Sequence, residues 1–192
     1  MAAARAAWRE LAPTLAPADL VFVDESGVAT AMARRYGRAP GGQRAHGAVP
    51  YGRWERLTIL GGLSLAGLVA GLVACMAVSG ATDTDVMVAF TRHVLVPALR
   101  PGQIVVTDNL SPHKAPQVRR LIERAGCRLL LLPPYSPDFN PIEPAWSKLQ
   151  TLLRGVGART TEALHAALTT LVDAVTASDA HGYFRHCGYA VQ

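Results

Sequence analysis

The chain alternates short, wholly apolar runs with polar connections punctuated by Gly and Pro. The first run, Leu20-Val-Phe-Val23, is β-branched and aromatic, reads as a strand, and closes on Asp24. From Arg34 to Arg56 the sequence is polar, rich in Gly, Pro and Arg, and without periodicity, which predicts a loop. Ile59 to Val78 then carries no charge over twenty residues. Such a run is long enough to span a bilayer as a helix, but paired sheet-core strands also read as continuous apolar stretches. Gly61, Gly62, Gly67 and Gly71 weaken a soluble helix by roughly 1 kcal/mol each, and the far flank lacks an aromatic belt. The spacing therefore predicts two strands, near 56–64 and 68–78, turning at Ala66-Gly67.

Downstream, Thr82-Asp-Thr-Asp85 caps a helix running to about Leu99, with Val86, Phe90, Val94 and Leu95 on one face. Gln103 to Thr107 reads as a fourth strand, ending on Asp108. A helix over 114–125 stops at Gly126, and 127–132 is a fifth, apolar strand ended by Pro133-Pro134. Two helices over 141–154 and 161–177 and a short tail complete the chain, and the N-terminus reads as a short amphipathic helix ending near Pro13. Residues 1–19 are thus expected as an N-terminal helix and linker and 20–192 as one α/β domain. Its order of elements suits a mixed sheet with antiparallel pairing on one side and parallel crossovers on the other. A ligand site in such a sheet lies at the carboxyl ends of the parallel strands, where Asp24 and Asp108 both fall.

Composition narrows the class. Half of the 192 residues are apolar, which excludes disorder. Cys75, Cys127 and Cys187 are widely spaced without a CxxC pair, as unpaired core thiols of a reducing compartment would be. No signal-peptide core is present at the N-terminus. The net charge of +5 comes almost entirely from arginine, with only Lys114 and Lys148 as lysines, and arginine suits phosphate partners.

Three carboxylates carry the chemistry. Each has an ordinary alternative: Asp24 can accept turn hydrogen bonds, Asp108 can close an Asx-turn before Pro112, and Glu143 can complete a capping box with Asn140 as N-cap and Pro141 at the first helical position. Together, two acids at strand ends and one at a helix start can converge on one sheet edge. Unpaired, they repel, and a divalent cation resolves the conflict.

VFVDESG, IVVTDNLSPHK and LLLPPYSPDFNPIEPAWSKLQ closely resemble the signature blocks of DDE transposases, in the bacterial insertion-sequence branch of the mariner-like superfamily. Thirty-four residues lie between Asp108 and Glu143, an interval typical of that group, and the similarity runs from about Leu20 through GATD (80–83) to Tyr189. The resemblance implies a ribonuclease-H-like five-stranded sheet flanked by helices, with Asp24, Asp108 and Glu143 holding two Mg²⁺ (or Mn²⁺) ions and Asp24 bridging them. It implies cleavage at transposon ends and attack of the liberated 3′-hydroxyl on target DNA, by a homodimer, in the cytoplasm at the nucleoid. With that fold the membrane reading of 59–78 falls away. A non-transposing ribonuclease-H-like nuclease and an inactive remnant that only binds DNA are the alternatives.

Accessory roles remain open at this stage. Asn109 and His113 can position a phosphate or water, or cap the next helix; Tyr135, Pro137 and Asn140 shape the loop before Glu143; Trp146 reads as core. Arg34, Arg35, Arg38, Arg44, Arg53 and Arg56, with Lys148 and Arg154 on the Glu143 helix, are candidate DNA-backbone contacts. Relatives commonly carry a basic residue where Gln150 stands. They also carry helix-turn-helix domains, for which the nineteen residues before the first strand leave no space; the chain is then read as the second frame of a frameshifted element with an upstream helix-turn-helix product, a truncated remnant or a partial gene.

Overall fold

A computed structural model of the chain describes residues 2–65 and 72–191, with side chains omitted at 72–75. Five strands, β1 (Leu20–Ala29), β2 (Arg56–Ser64), β3 (Leu72–Ser79), β4 (Ile104–Thr107) and β5 (Arg128–Leu131), form one sheet in the order β3-β2-β1-β4-β5. β1 pairs antiparallel with β2, and β2 with β3; β1 pairs parallel with β4, and β4 with β5. This is the mixed, ribonuclease-H-like sheet expected. The uncharged run from Ile59 falls on β2 and β3 where it is described, and its expected turn at Ala66-Gly67 lies outside the described residues. Among the described residues no helix is long and apolar enough to cross a membrane.

β1 differs from expectation in a way that matters for the site. Asp24 does not end the strand. Five further residues, Glu25 to Ala29, stay in register with β2, from Glu25↔Leu60 to Ala29↔Arg56. The polar sequence ESG reads locally as a turn, but the nine-residue antiparallel partner supplies hydrogen bonds that keep it extended. On the other side β4 stops, because Thr107 opposite Val23 is its last paired residue. Asp24 therefore sits in mid-strand, one step beyond the end of its parallel neighbour.

Alternation along β1 sorts the core into two layers. Leu20, Phe22 and Val28 join a cluster beneath α5 (Ile142–Val156), α6 (Thr161–Leu171) and α7 (Ala177–His186). Val21 and Val23 join the opposite cluster, beneath α2 (Thr84–Phe90), its π-helical continuation Thr91–Leu95, α3 (Val96–Ala98) and α4 (Pro116–Arg124). By the same alternation Asp24 faces the α5 side and Glu25 the α4 side.

Local signals set the helix ends. Asp83 caps α2, accepting from Val86 N at 2.9 Å. Gly126 and Gly157 take left-handed φ of 74° and 66° beyond α4 and α5. The segment expected as one helix to residue 177 is α6, which passes into a 3₁₀ turn at Val172–Ala174. The expected tail is a further helix, α7, begun by a capping box between Thr176 and Asp179. α7 delivers Phe184, whose ring meets Phe22 edge-on at 5.3 Å, and Tyr189 closes the trio at 5.1 Å from Phe22. At the N-terminus, α1 (Ala2–Leu11) buries Trp8 in this same layer. Trp146 is likewise core, at 3% exposure.

Candidate active site

Parallel pairing of β1 with β4 brings Asp24 beside Asp108, and the loop after β5 returns Asn140 and Glu143 over the same edge. All four residues line one cavity of about 370 Å³, together with Asn109 and the 132–137 segment. Asp24 is nearly fully buried, whereas Glu143, in the first turn of α5, stands exposed at the mouth.

Each carboxylate is held differently. Asp24 Oδ1 accepts from the backbone N of Glu25 at 2.8 Å, and Oδ2 accepts from Asn140 Nδ2 at 2.9 Å. Burial, with repulsion from Glu143 and Asp108, pushes Asp24 up to about 7. Asp108 goes the other way. Burial raises it, but His113 Nδ1 at 2.5 Å and the Leu110 N–H at 3.0 Å, both on Oδ1, hold it below its ordinary value. Partial burial and then the Asp108 charge raise Glu143.

His113 is completely buried. Burial disfavours its charge, yet Asp108 on one side and Glu25 on the other raise it to about 9, so it is an imidazolium at neutral pH. Its Nε2 lies 3.7 Å from Glu25 Oε2, an ion pair too long for a hydrogen bond. Glu25 was not singled out in the sequence. Its signal is the alternation of β1, which sends the residue after Asp24 to the face where His113 lies.

The capping-box alternative for Glu143 does not hold. α5 begins at Ile142 without a side-chain cap, and the Asn140 amide goes to Asp24. The Asx-turn at Asp108 does form, on the same oxygen that His113 contacts. Asn109 donates to the Leu132 carbonyl, tying the end of β4 to the end of β5. Tyr135 is exposed with a left-handed φ of 54°, unusual outside glycine, at the turn that redirects the chain toward Asn140.

The candidate DNA-contact residues lie elsewhere. Arg34, Arg35, Arg38, Arg44, Arg53 and Arg56 are all exposed. Arg56 lines a second cavity of about 550 Å³ with Trp54 and Arg154. Lys148 is half-buried and ion-paired instead, its Nζ 2.6 Å from Asp179 of α7. Gln150 donates to Ser26 Oγ at 2.9 Å and accepts from Arg154, bracing α5 against β1.

The donor set suits a hard divalent cation: three carboxylates on one cavity, one of them unfavourable when ionised, and the buried Asn140 Oδ1 without a partner. Among the described residues, no three His, Cys, Asp or Glu side chains are gathered in a group that could hold a metal ion as they stand.

Known proteins resemble this chain in sequence and in fold. The Tc1 transposase of the transposable element in Caenorhabditis elegans is 34% identical over 80 residues, 42% of this chain and 29% of that protein. The Mos1 transposase paired-end complex with the left transposon end superposes with a TM-score of 0.74 at 16% identity, covering 96% of this chain and 56% of that one. The Mos1 transposase catalytic domain, solved with raltegravir and Mn, gives 0.62 at 14% identity over 96% of this chain and 89% of that one. The chain thus spans little more than half of the longer Mos1 protein and matches its catalytic domain in fold. Residues 19–165, from just before β1 into α6 and including all three acids, match the model of the DDE superfamily endonucleases. The chain belongs to the DDE superfamily endonuclease family.

Proposed function

We propose that the chain is a transposase catalytic domain that cleaves DNA strands at transposon ends and transfers the liberated 3′-hydroxyl to target DNA. The observation that carries the proposal is the convergence of Asp24, Asp108 and Glu143, from two strands and a helix, on one cavity where their charges oppose one another. The Mos1 catalytic domain was solved with Mn, and the same ion class, two Mg²⁺ or Mn²⁺, suits these oxygen donors. Bound divalent cations supply Lewis-acid activation of the attacking oxygen and neutralise charge on the leaving oxygen.

The remaining work belongs to the side chains. Asp24, oriented by Asn140, would be the buried donor of the set. Asp108 is kept ionised by His113, with Oδ1 fixed by the imidazole and the Leu110 amide. Glu143 completes the set from the mouth. In the first step a water oxygen attacks phosphorus as the P–O3′ bond breaks, leaving a 3′-hydroxyl and a 5′-phosphate. In the second, that hydroxyl attacks a target phosphodiester as its P–O3′ bond breaks, joining the strands and releasing a 3′-hydroxyl on the target. Neither step needs a covalent enzyme intermediate.

DNA partners are terminal inverted repeats and target DNA, engaged along the backbone by Arg34, Arg35, Arg38, Arg44, Arg53 and Arg56. A homodimer and a separate helix-turn-helix product complete the proposed assembly. The test is cleavage of end-containing DNA with Mg²⁺ or Mn²⁺, by the chain alone and fused to the helix-turn-helix product. Cleavage by wild type and none by Asp108→Asn is the expected result. Equal cleavage by both overturns the triad, and an inert but metal-binding wild type in both formats favours the remnant.

A further inference from the structure

The segment from Pro133 to Pro141 carries no strand pairing, yet it places both Asn140 and the start of α5 at the cavity. From inside the site it is fastened by one contact, Asn140 to Asp24. From outside it is fastened by α1. Arg5 forks onto Asp138, with Nη1 to Oδ1 at 2.9 Å and Nη2 to Oδ2 at 2.7 Å. The same Nη1 donates to the buried Ser136 Oγ at 2.8 Å, and the guanidinium lies 4.6 Å from the centre of the Phe139 ring.

A second tie lies one turn further along α1. Trp8 Nε1 donates to Tyr189 Oη at 3.3 Å, and that hydroxyl donates to the Phe139 carbonyl at 2.8 Å. Every one of these contacts ends within four residues of Asn140. The exposed face of the loop is therefore set by a helix more than 120 residues away in sequence, which itself contributes nothing to the cavity lining.

We propose that Arg5 is a positioning residue of the active site: through its fork on Asp138 and Ser136, α1 acts as a strut that sets the 133–141 loop and so the placement of Asn140 and Glu143. The proposal rests on the metal-dependent reading of the cavity. Arginine suits the task because its planar fork engages one carboxylate with two parallel bonds and still reaches the Ser136 hydroxyl. A lysine keeps the charge but loses that geometry.

The test compares the 192-residue wild type, Arg5→Ala and Arg5→Lys by Mn²⁺ titration followed by electron paramagnetic resonance, and by amide hydrogen exchange across 134–143. Arg5→Ala is expected to bind Mn²⁺ about tenfold more weakly, the lower end of what partners outside the ligand set cost a metal site. It is also expected to exchange faster at the amides of Phe139, Asn140 and Glu143, with exchange in β1 and β4 unchanged. Arg5→Lys should fall between the two, and it serves as the informative variant should the alanine protein fail to fold. Unchanged Mn²⁺ affinity with unchanged exchange in the loop overturns the strut. A wild type that takes no Mn²⁺ overturns the metal reading itself, a result distinct from the first.

Discussion

Asn140 and Asp24, 116 residues apart in sequence, meet at 2.9 Å inside the cavity, amide nitrogen to carboxylate oxygen. This bond ties the loop before α5 to the middle of β1, and both partners are buried, at 3% and 7% exposure. Asn140→Ala removes the donor and leaves one carboxylate oxygen without its partner. A loss of about 1–3 kcal/mol is expected from urea unfolding, the range for leaving a buried acceptor unsatisfied. Stability within a few tenths of a kcal/mol of wild type would show that the bond contributes nothing.

Asp24 makes folding pH-dependent in the direction opposite to most carboxylates. Its value rises from 3.8 unfolded to about 7 folded, so the native state holds the proton more tightly. Its contribution is fully present below about pH 4 and is lost as pH rises through 7. Asp24→Asn cannot titrate. Between pH 4 and pH 8, without divalent ions, the stability of Asp24→Asn relative to wild type should rise by about 4 kcal/mol, at 1.36 kcal/mol per unit. Mg²⁺ should stabilise wild type and leave the variant unmoved. Parallel pH curves for the two proteins would contradict the assignment.

His113 acts at the alkaline end. Its value rises from 6.5 to about 9, so its contribution is complete below 6.5 and disappears as pH passes 9. The advantage of wild type over His113→Gln should therefore shrink by about 3 kcal/mol between pH 6 and pH 10. A constant difference across that window would mean the ring is neutral in the fold.

The exposed arginines give a third kind of measurement. If Arg34, Arg35, Arg38 and Arg44 contact phosphates, each replacement by Ala should lower the slope of log affinity against log salt by about 0.9 for duplex DNA. The loss should be equal on end-containing and unrelated duplexes. Lys148→Ala should leave the slope unchanged, because its ammonium is engaged by Asp179. A slope that ignores the arginines places DNA on another face.

The sequence made the sheet and the two acids beyond its parallel strands readable because both depend on short-range pattern. Val21-Phe-Val23 and Ile104-Val-Val106 are apolar and β-branched; the first leads directly to Asp24 and the second, through Thr107, to Asp108. What stayed hidden depends on contacts made across the fold. The extension of β1 through Glu25-Ser-Gly27 comes from pairing with β2, against the turn-forming character of those residues. Asn140 looked like a helix cap because its true partner lies on another strand. α7 was missed because ASDAHGYFRH carries little apolar periodicity, although Thr176 and Asp179 are a legible capping box. Arg5, in an alanine-rich helix, has no local partner that would mark it; Asp138 lies 133 residues away.

The continuation of β1 beyond Asp24 divides the cavity into a stationary half and an adjustable one. Asp24 is anchored in a ladder, with Gly61 of β2 opposite it and paired residues before and after. Its backbone cannot shift without breaking those pairs. Glu143 rides on the first turn of a helix whose approach is an unpaired loop, and its side chain stands in solvent. Any contraction of the carboxylates around a cation would therefore fall to the exposed Glu143 side chain, because the backbone of β1 is held in its ladder and α5 is packed in the core and braced on Ser26.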